Sequence, residues 1–472
     1  MKKSIFILLF FTSLFAGCDD NDSFSSSSSN VLSMIDTLSM DTVFSTIPSS
    51  AKIFWIHNNS GDGIRIKSVA LDKGNQTGFR VNVDGADLTS NGYQLNNLEV
   101  RKGDSIQVFV EVTTGKVGKD TPQLVSDNLT FTLESGVTQK VNLKVMSWDA
   151  TMVNNLEVKE DMSLGGDTPI VVYGTIKVLE NATLTINPGT TLYFASDGGI
   201  DVYGTLKCVG TSDENITLRS YRLDKMFDNL YYDGTDGLWQ GITINNTSYG
   251  NEIGYADIHS ATTALMITDT VYNAQQKLKI YNSIIHNNSV YGVCAYRSNI
   301  SMENCQLTNA KIDCAYIVGG VADINGCTIG QFYNFKTLGD HALNVVGDSD
   351  SPLILLDVKN TIITGYHDDE VYISVANNNG NDSVYYFDHC LLRTPEVSSS
   401  HITDNIFEDT SDTLTGGYRN FVMINEEYKC DFHLDSVSKA IDAANTNTIP
   451  EIDIEGNTRR RHWDIGAYQY KD

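Results

Sequence analysis

The sequence predicts an all-β chain whose larger part is a solenoid of stacked β-coils. Three observations carry this. Asn282-Ser283-Ile284-Ile285, Asn304-Cys305-Gln306-Leu307 and Gly326-Cys327-Thr328-Ile329 recur at an offset of 22 residues, and Asn360-Thr361-Ile362-Ile363 and His389-Cys390-Leu391-Leu392 continue the pattern at looser spacing. A period of about 20 to 50 residues marks units that bury their apolar faces only against their neighbours. The unit is rich in Ile, Val, Thr and Tyr, is punctuated by Asn and Gly, and lacks the long Ala, Leu, Glu and Lys runs of a helical repeat. Aligned on the period, Ile285, Leu307, Ile329, Ile363 and Leu392 form one inward apolar column. Ser283, Cys305, Cys327, Thr361 and Cys390 form a second, small-residue column two positions earlier on the same strand face.

The start of the solenoid is legible. Val172-Tyr173-Gly174-Thr175-Ile176-Lys177-Val178 returns thirty residues later as Val202-Tyr203-Gly204-Thr205-Leu206-Lys207-Cys208, with Asn187-Pro188-Gly189 turning between them. With Leu238-Trp239-Gln240-Gly241-Ile242, this pattern resembles the right-handed parallel β-helix of pectate-lyase-like proteins, over roughly residues 148 to 470. The resemblance implies a single-stranded solenoid with asparagines at its corners. Asn tolerates left-handed dihedrals, and its amide is expected to bond along the stack from coil to coil.

At the amino terminus Lys2 and Lys3 precede an apolar run from Ile5 to Phe15, too short for an ordinary membrane span, which reads as a signal peptide. Phe15-Ala16-Gly17-Cys18 resembles the lipobox of bacterial lipoproteins. That likeness implies cleavage after residue 17 and lipidation of Cys18. Asp19-Asp20-Asn21-Asp22 is similar to the acidic signal that sends such lipoproteins to the outer face of a Gram-negative cell. No second apolar segment is long enough to cross a bilayer, so membrane attachment is expected to rest on the Cys18 lipid. Residues 18–30, with Ser25 to Ser29 in a run, read as a tether.

Between tether and solenoid, residues 31–147 alternate polar and apolar side chains in segments such as Lys52-Ile53-Phe54-Trp55-Ile56-His57 and Ile106-Gln107-Val108-Phe109-Val110-Glu111-Val112. This predicts a separate β-sandwich on the seven-strand scale. Arg101-Lys102-Gly103-Asp104-Ser105-Ile106 is similar to a turn of immunoglobulin-like modules, which implies an immunoglobulin-like spacer. The solenoid then occupies residues 148–472. From about residue 430, Ala440-Ile441-Asp442-Ala443, Asp453 to Arg459 and Asp464 to Tyr470 closely resemble a terminal segment of bacterial β-helix surface proteins. It is expected to close the last coil against edge-to-edge aggregation, with Arg459 pairing a carboxylate in the closing turn. Arg459-Arg460-Arg461-His462 is a basic patch on an acidic protein.

The formal net charge is -26 over 472 residues, and loss of Lys2 and Lys3 would make it -28. Such a surface repels nucleic acid and anionic polysaccharide unless cations intervene. Of the 8 cysteines, seven remain beside Cys18, and Cys305, Cys327 and Cys390 share an inward column, so they read as small core residues. No CxxC pair and no Cys/His cluster at zinc spacing occurs.

The resembled fold hosts polysaccharide lyases and glycoside hydrolases, which need acids or a base converging on neighbouring coils. The sequence offers Asp340-His341, His367-Asp368-Asp369-Glu370 and Asp388-His389 as candidates for catalysis, and Asp368, Asp369 and Glu370 as candidate calcium ligands. Against the apolar column, His367 lies four residues after Ile363 and Asp388 four before Leu392. They are ~8 strand positions apart, up to ~26 Å at roughly 3.3 Å per residue. The bland alternatives are a solvated loop for Asp369-Glu370 and satisfaction of turn amides for Asp388. The expected function is therefore non-catalytic binding of glycans or another cell-surface component, through Tyr281, Tyr291, Tyr296, Tyr316, Tyr333, Tyr366 and Tyr372. A lyase or hydrolase is the alternative.

Overall fold

A computed structural model describes residues 23–333, 341–376, 384–412, 414–459 and 463–471. Cys18, the acidic run Asp19-Asp20-Asn21-Asp22, Asp340 and Arg460, Arg461 and His462 of the basic patch lie outside them. The chain divides into two compact units, 1–149 and 150–472. Among the described residues no helix is long and apolar enough to cross a membrane.

The first unit is a sandwich of a six-stranded and a four-stranded sheet. Its strands alternate because one face of each sheet meets the core and the other meets water. Strand Ser105–Val112 buries Ile106, Val108, Val110 and Val112, which join Phe54, Ile56, Phe131 and Leu143 in one apolar cluster. Most pairings are antiparallel, but the first two short strands, Thr37–Ser39 and Val43–Phe44, run parallel to Thr138–Trp148.

The second unit is a parallel solenoid. One continuous ladder of eleven strands forms one side. Two further ladders form the others, and they merge where Tyr291–Glu303 and Asp313–Asn325 each run through both. The inward column behaves as the period predicts: Ile285 pairs with Leu307, Leu307 with Ile329, Ile329 with Ile363 and Ile363 with Leu392. It extends in register in the other direction through Ile258, Leu218, Leu192 and Ile170. All are buried.

The small-residue column has a bonding role as well as a packing one. Three of its five side chains accept a main-chain N–H from the coil before: Ala256 N–H to Ser283 Oγ at 3.1 Å, Cys305 N–H to Cys327 Sγ at 3.4 Å and Cys327 N–H to Thr361 Oγ1 at 3.2 Å. The seven cysteines described all carry free thiols. Each column residue follows a left-handed corner occupied by Asn282 (φ 47°), Asn304 (φ 50°), Gly326 (φ 64°), Asn360 (φ 48°) or His389 (φ 50°). Asn and Gly meet that conformation at least cost.

Two expectations about this region are corrected. The corner amides do not mainly bond along the stack; Asn360 to Asn325 Oδ1 at 2.9 Å is such a contact, but Asn282 and Asn304 donate to the main-chain oxygens of Asp453 and Ile452 at 3.1 and 2.8 Å. The carboxyl-terminal segment is accordingly a strap along the flank rather than a lid over the last coil. It passes Asn282, Asn304, Asn325 and Asn360 with its own residues 453, 452, 448 and 445 in reverse order. Arg459 is buried and donates to the carbonyl oxygens of Asp464 and Gly466 at 3.0 and 2.7 Å. Burial lowers its guanidinium to about 10, while the charges of Asp453 and Asp464 work the other way. Asp464 fastens the strap to itself by accepting the N–H groups of Asp442 and Tyr470 at 2.8 and 2.7 Å.

Candidate functional site

The strand Ala256–His259 turns Ile258 inward, so Asp257 and His259 must face outward. One coil later Ile285 is inward and His286 outward, and the register sets His259 directly beside His286. The two imidazoles stack with centroids 4.8 Å apart. Asp257 Oδ1 lies 2.8 Å from His259 Nδ1 and 3.3 Å from His286 Nε2. One coil earlier, Leu218 aligns with Ile258, which puts Arg219 next to His259. Arg219 Nη2 holds Asp233 Oδ2 at 2.7 Å, and that oxygen is 3.6 Å from His259 Nε2. His259 keeps only a tenth of its side chain exposed, and Asp257 about a third.

The electrostatics follow from this packing. Burial alone would lower the His259 imidazolium, but the Asp257 charge and bonds to Asp233 and Asp257 outweigh it and raise the group to about 9. Burial opposes ionisation of Asp257, yet the charges and hydrogen bonds of His259 and His286 hold it well below the usual carboxylate range.

Asp257 and His286 open onto a cleft of about 620 Å³. Its other wall is the hairpin of Phe421–Glu426 and Lys429–Leu434. The hairpin packs there because Phe421, Phe432 and Leu434 join Phe332, Ile362 and Leu391 in a second apolar cluster outside the coils. On that wall His433 Nδ1 meets Asp431 Oδ1 at 2.6 Å and its Nε2 meets Glu455 Oε1 at 3.2 Å. Burial works against Asp431, and hydrogen bonds from His433 still keep its carboxyl below the usual range. Tyr468 packs against His433 with ring centroids 4.5 Å apart and planes inclined at 45°, and donates to Gln306 Oε1 at 2.6 Å. Tyr333 donates to Asp236. Tyr428 lines the cleft while 44% exposed. Two histidine–carboxylate pairs thus face one cleft alongside tyrosines and side-chain amides.

Residues 152–329, the coils that carry Asp257, His259 and His286, match the family described as right handed beta helix region. The second unit is a right-handed parallel β-helix. No curated protein matches the chain. Among solved structures, pectate lyase Pel9A is similar at 10% identity and a TM-score of 0.34, over 68% of this chain and 97% of that one. A family 123 glycoside hydrolase from Clostridium perfringens is similar at 7% identity and a TM-score of 0.18, over 26% of each chain. BcpA, the major pilin subunit of Bacillus cereus, is similar at 13% identity and a TM-score of 0.15, over 29% of this chain and 43% of that one. None of the three bears on what this chain does.

The acidic and histidine residues singled out from sequence lie elsewhere: none of those described lines the cleft. Glu370 is neither a solvated loop residue nor an available calcium ligand. It is wholly buried and accepts the N–H groups of Ala342 and His367 at 2.9 and 2.8 Å. Burial pushes its carboxyl up to about 8 against those bonds. Asp369 accepts from Thr394 Oγ1 at 2.7 Å, while Asp368 is exposed and 3.6 Å from Arg393. The His367 carbonyl accepts from Arg393 Nε at 2.6 Å. Asp388 is not bonded to turn amides; it accepts Thr403 Oγ1 and Asn445 Nδ2 at 2.9 and 3.0 Å, and lies 3.0 Å from His389 Nδ1. Tyr291 and Tyr316 stack on each other at 5.1 Å and Tyr296 meets Tyr316 edge-on, so their rings are partly spent on one another. Tyr281 packs on Tyr255, Tyr366 on Phe332 and Tyr372 on His341. Of the seven tyrosines, Tyr333 reaches the cleft.

Proposed function

We propose that the protein binds carbohydrate in the cleft between the β-helix and its carboxyl-terminal hairpin, and that it does so from a cell-surface lipid anchor on Cys18. The observation that carries the binding reading is the lining of the cleft. Tyr428 presents an exposed ring, with Tyr333 and Tyr468 buried in the wall, beside Asn287, Asn309 and Asn425 and the two histidine–carboxylate pairs in about 620 Å³. Aromatic faces stack on sugar rings, and convergent amides and carboxylates take hydroxyl groups. The test is a glycan array probed with the full-length protein and its Tyr428→Ala variant. Retention of a defined glycan by the parent, weakened in the variant, supports the reading; no retention, or equal retention, overturns it. The anchor has its own test, since Cys18→Ala should leave the protein in the soluble fraction. Full membrane retention of that variant refutes it.

A second reading, hydrolysis or elimination of a bound polysaccharide, is favoured by the two histidine–carboxylate pairs on opposite walls, Asp257 with His286 and Asp431 with His433. The -26 charge argues for neutral over uronate polymers. Reducing-end release and the absorbance of unsaturated sugar ends are the assays. A signal lost in both Asp257→Ala and Asp431→Ala would replace the binding reading.

A further inference from the structure

We propose that Asp257, His259 and His286 bind one divalent transition-metal ion of the zinc class, with a coordination position open to the cleft. Their donor atoms lie within 4.8 Å of one another. Zinc holds imidazole nitrogen and carboxylate oxygen at about 2.0 to 2.2 Å, which spaces tetrahedral ligands about 3.3 Å apart. The 3.3 Å separation matches this spacing, the 2.8 Å one opens by about half an ångström, and the two imidazole nitrogens lie within 4.8 Å of each other.

An ion pair explains less of the arrangement. A single imidazolium suffices to neutralise Asp257, yet two stacked imidazoles turn ring nitrogens on the same carboxylate oxygen. A bound cation accounts for both, since two imidazole nitrogens and one carboxylate oxygen then converge on it as ligands. The surroundings fit as well. His259 turns its other nitrogen toward Asp233, which Arg219 fixes, and this is the outer carboxylate that orients a metal-binding histidine. Two nitrogen donors and one oxygen disfavour calcium and magnesium, which take oxygen ligands. The cluster has three donors, and Asp257 and His286 border the cleft, so a fourth position can hold water or a ligand hydroxyl.

The inference does not rest on the glycan reading, since metal uptake is measured on the free protein. The experiment strips the full-length, untagged chain with chelator, returns Zn2+ and measures bound metal by elemental analysis and affinity by calorimetry. The expected result is one Zn2+ per chain in the parent and none in His286→Gln or Asp257→Asn at unchanged circular dichroism. Asp233→Asn should weaken the affinity by about 10- to 100-fold, as outer-shell changes do. His389→Ala, at the other aspartate–histidine cluster, should leave uptake unchanged. No uptake by the parent, or undiminished uptake in the two ligand variants, overturns the proposal. If both ligand variants misfold, Co2+ in the parent decides it. The intense visible bands of a tetrahedral site support the proposal, and the weak spectrum of the hydrated ion overturns it.

Discussion

Among the described residues, aspartate and histidine crowd together at two places on the coils of the β-helix, and one of these borders the cleft opposite the hairpin. Asp257, His259 and His286 stand on a strand face, where alternation and coil register aim them at one point. Asp388, His389 and Asp404 stand at a corner, where His389 and Asp404 take left-handed dihedrals of 50° and 53°. At the corner, the carboxylate of Asp388 is engaged by Thr403 and by Asn445 of the strap. On the strand face, Asp257 is met by the two imidazoles. Adjacent acid and histidine residues in a solenoid therefore read as turn material. Functional grouping comes from residues two apart on a strand and from their equivalents one coil on.

Both clusters inherit their positions from the inward column, so the largest expected effect comes from breaking it. Leu307→Asp puts an unpaired carboxylate between Ile285 and Ile329, both buried. Burying it costs several kcal/mol, enough to unfold the β-helix locally or wholly. A melting curve equal to the parent's would refute the register and, with it, the strand-face cluster.

The next effect concerns Glu370, which contrasts with both clusters in being wholly buried. Glu370 ionises near 8 when folded, against an ordinary 4.5, because burial disfavours its charge. The folded state thus holds this proton more tightly than the unfolded one. That contribution to stability is whole below about 4.5 and is lost as pH rises toward about 8. At about 1.4 kcal/mol for each pH unit the loss reaches several kcal/mol. Denaturant titrations at pH 5 and pH 8.5 should show it, and Glu370→Gln should flatten the difference. An unchanged slope in that variant would assign the pH dependence to other groups.

Exchanging roles between the two clusters is a smaller and sharper test. Asp388→Ala removes the acceptor of Thr403 and Asn445 and should cost about 0.5–1.5 kcal/mol while leaving zinc uptake intact. Asp257→Asn keeps an acceptor for His259 but removes the charge facing both imidazoles, so it should cost stability and, unlike Asp388→Ala, abolish uptake. Denaturation midpoints and metal content, measured on both variants, would erase the contrast if the pattern were reversed.

Much of the solenoid was legible because its information is one-dimensional. Ile285, Leu307 and Ile329 announce the coil by spacing alone, and Asn282 and Asn304 announce its corners. The cluster was within reach of the same reading: His286 follows Ile285 by one residue, and Ile258, one coil earlier, is flanked by Asp257 and His259. Carrying the inward column one coil back would have exposed it. The cleft was not legible. It is closed by a hairpin that returns to coils far earlier in the chain, as when Asn309 meets Cys430, and no local pattern records such a contact. Arg459 and the corner asparagines failed for the same reason, since their partners are main-chain oxygens of a strap.

The smallest expected effect tests whether the second column bonds as well as packs. Ser283, Cys327 and Thr361 occupy equivalent places, and each accepts a main-chain N–H from the coil before. A hydroxyl accepts more strongly than a thiol, so Cys327→Ser should keep the bond from Cys305 N–H and shift stability by less than about 1 kcal/mol. Cys327→Ala removes the acceptor and leaves a buried N–H unmet, at a cost of about 1–3 kcal/mol. Denaturation midpoints of the two variants give the comparison. If alanine were tolerated as well as serine, the column would be filler alone. The corner would then be held by its left-handed asparagines and the strap, which is the arrangement that already occupies Asp388.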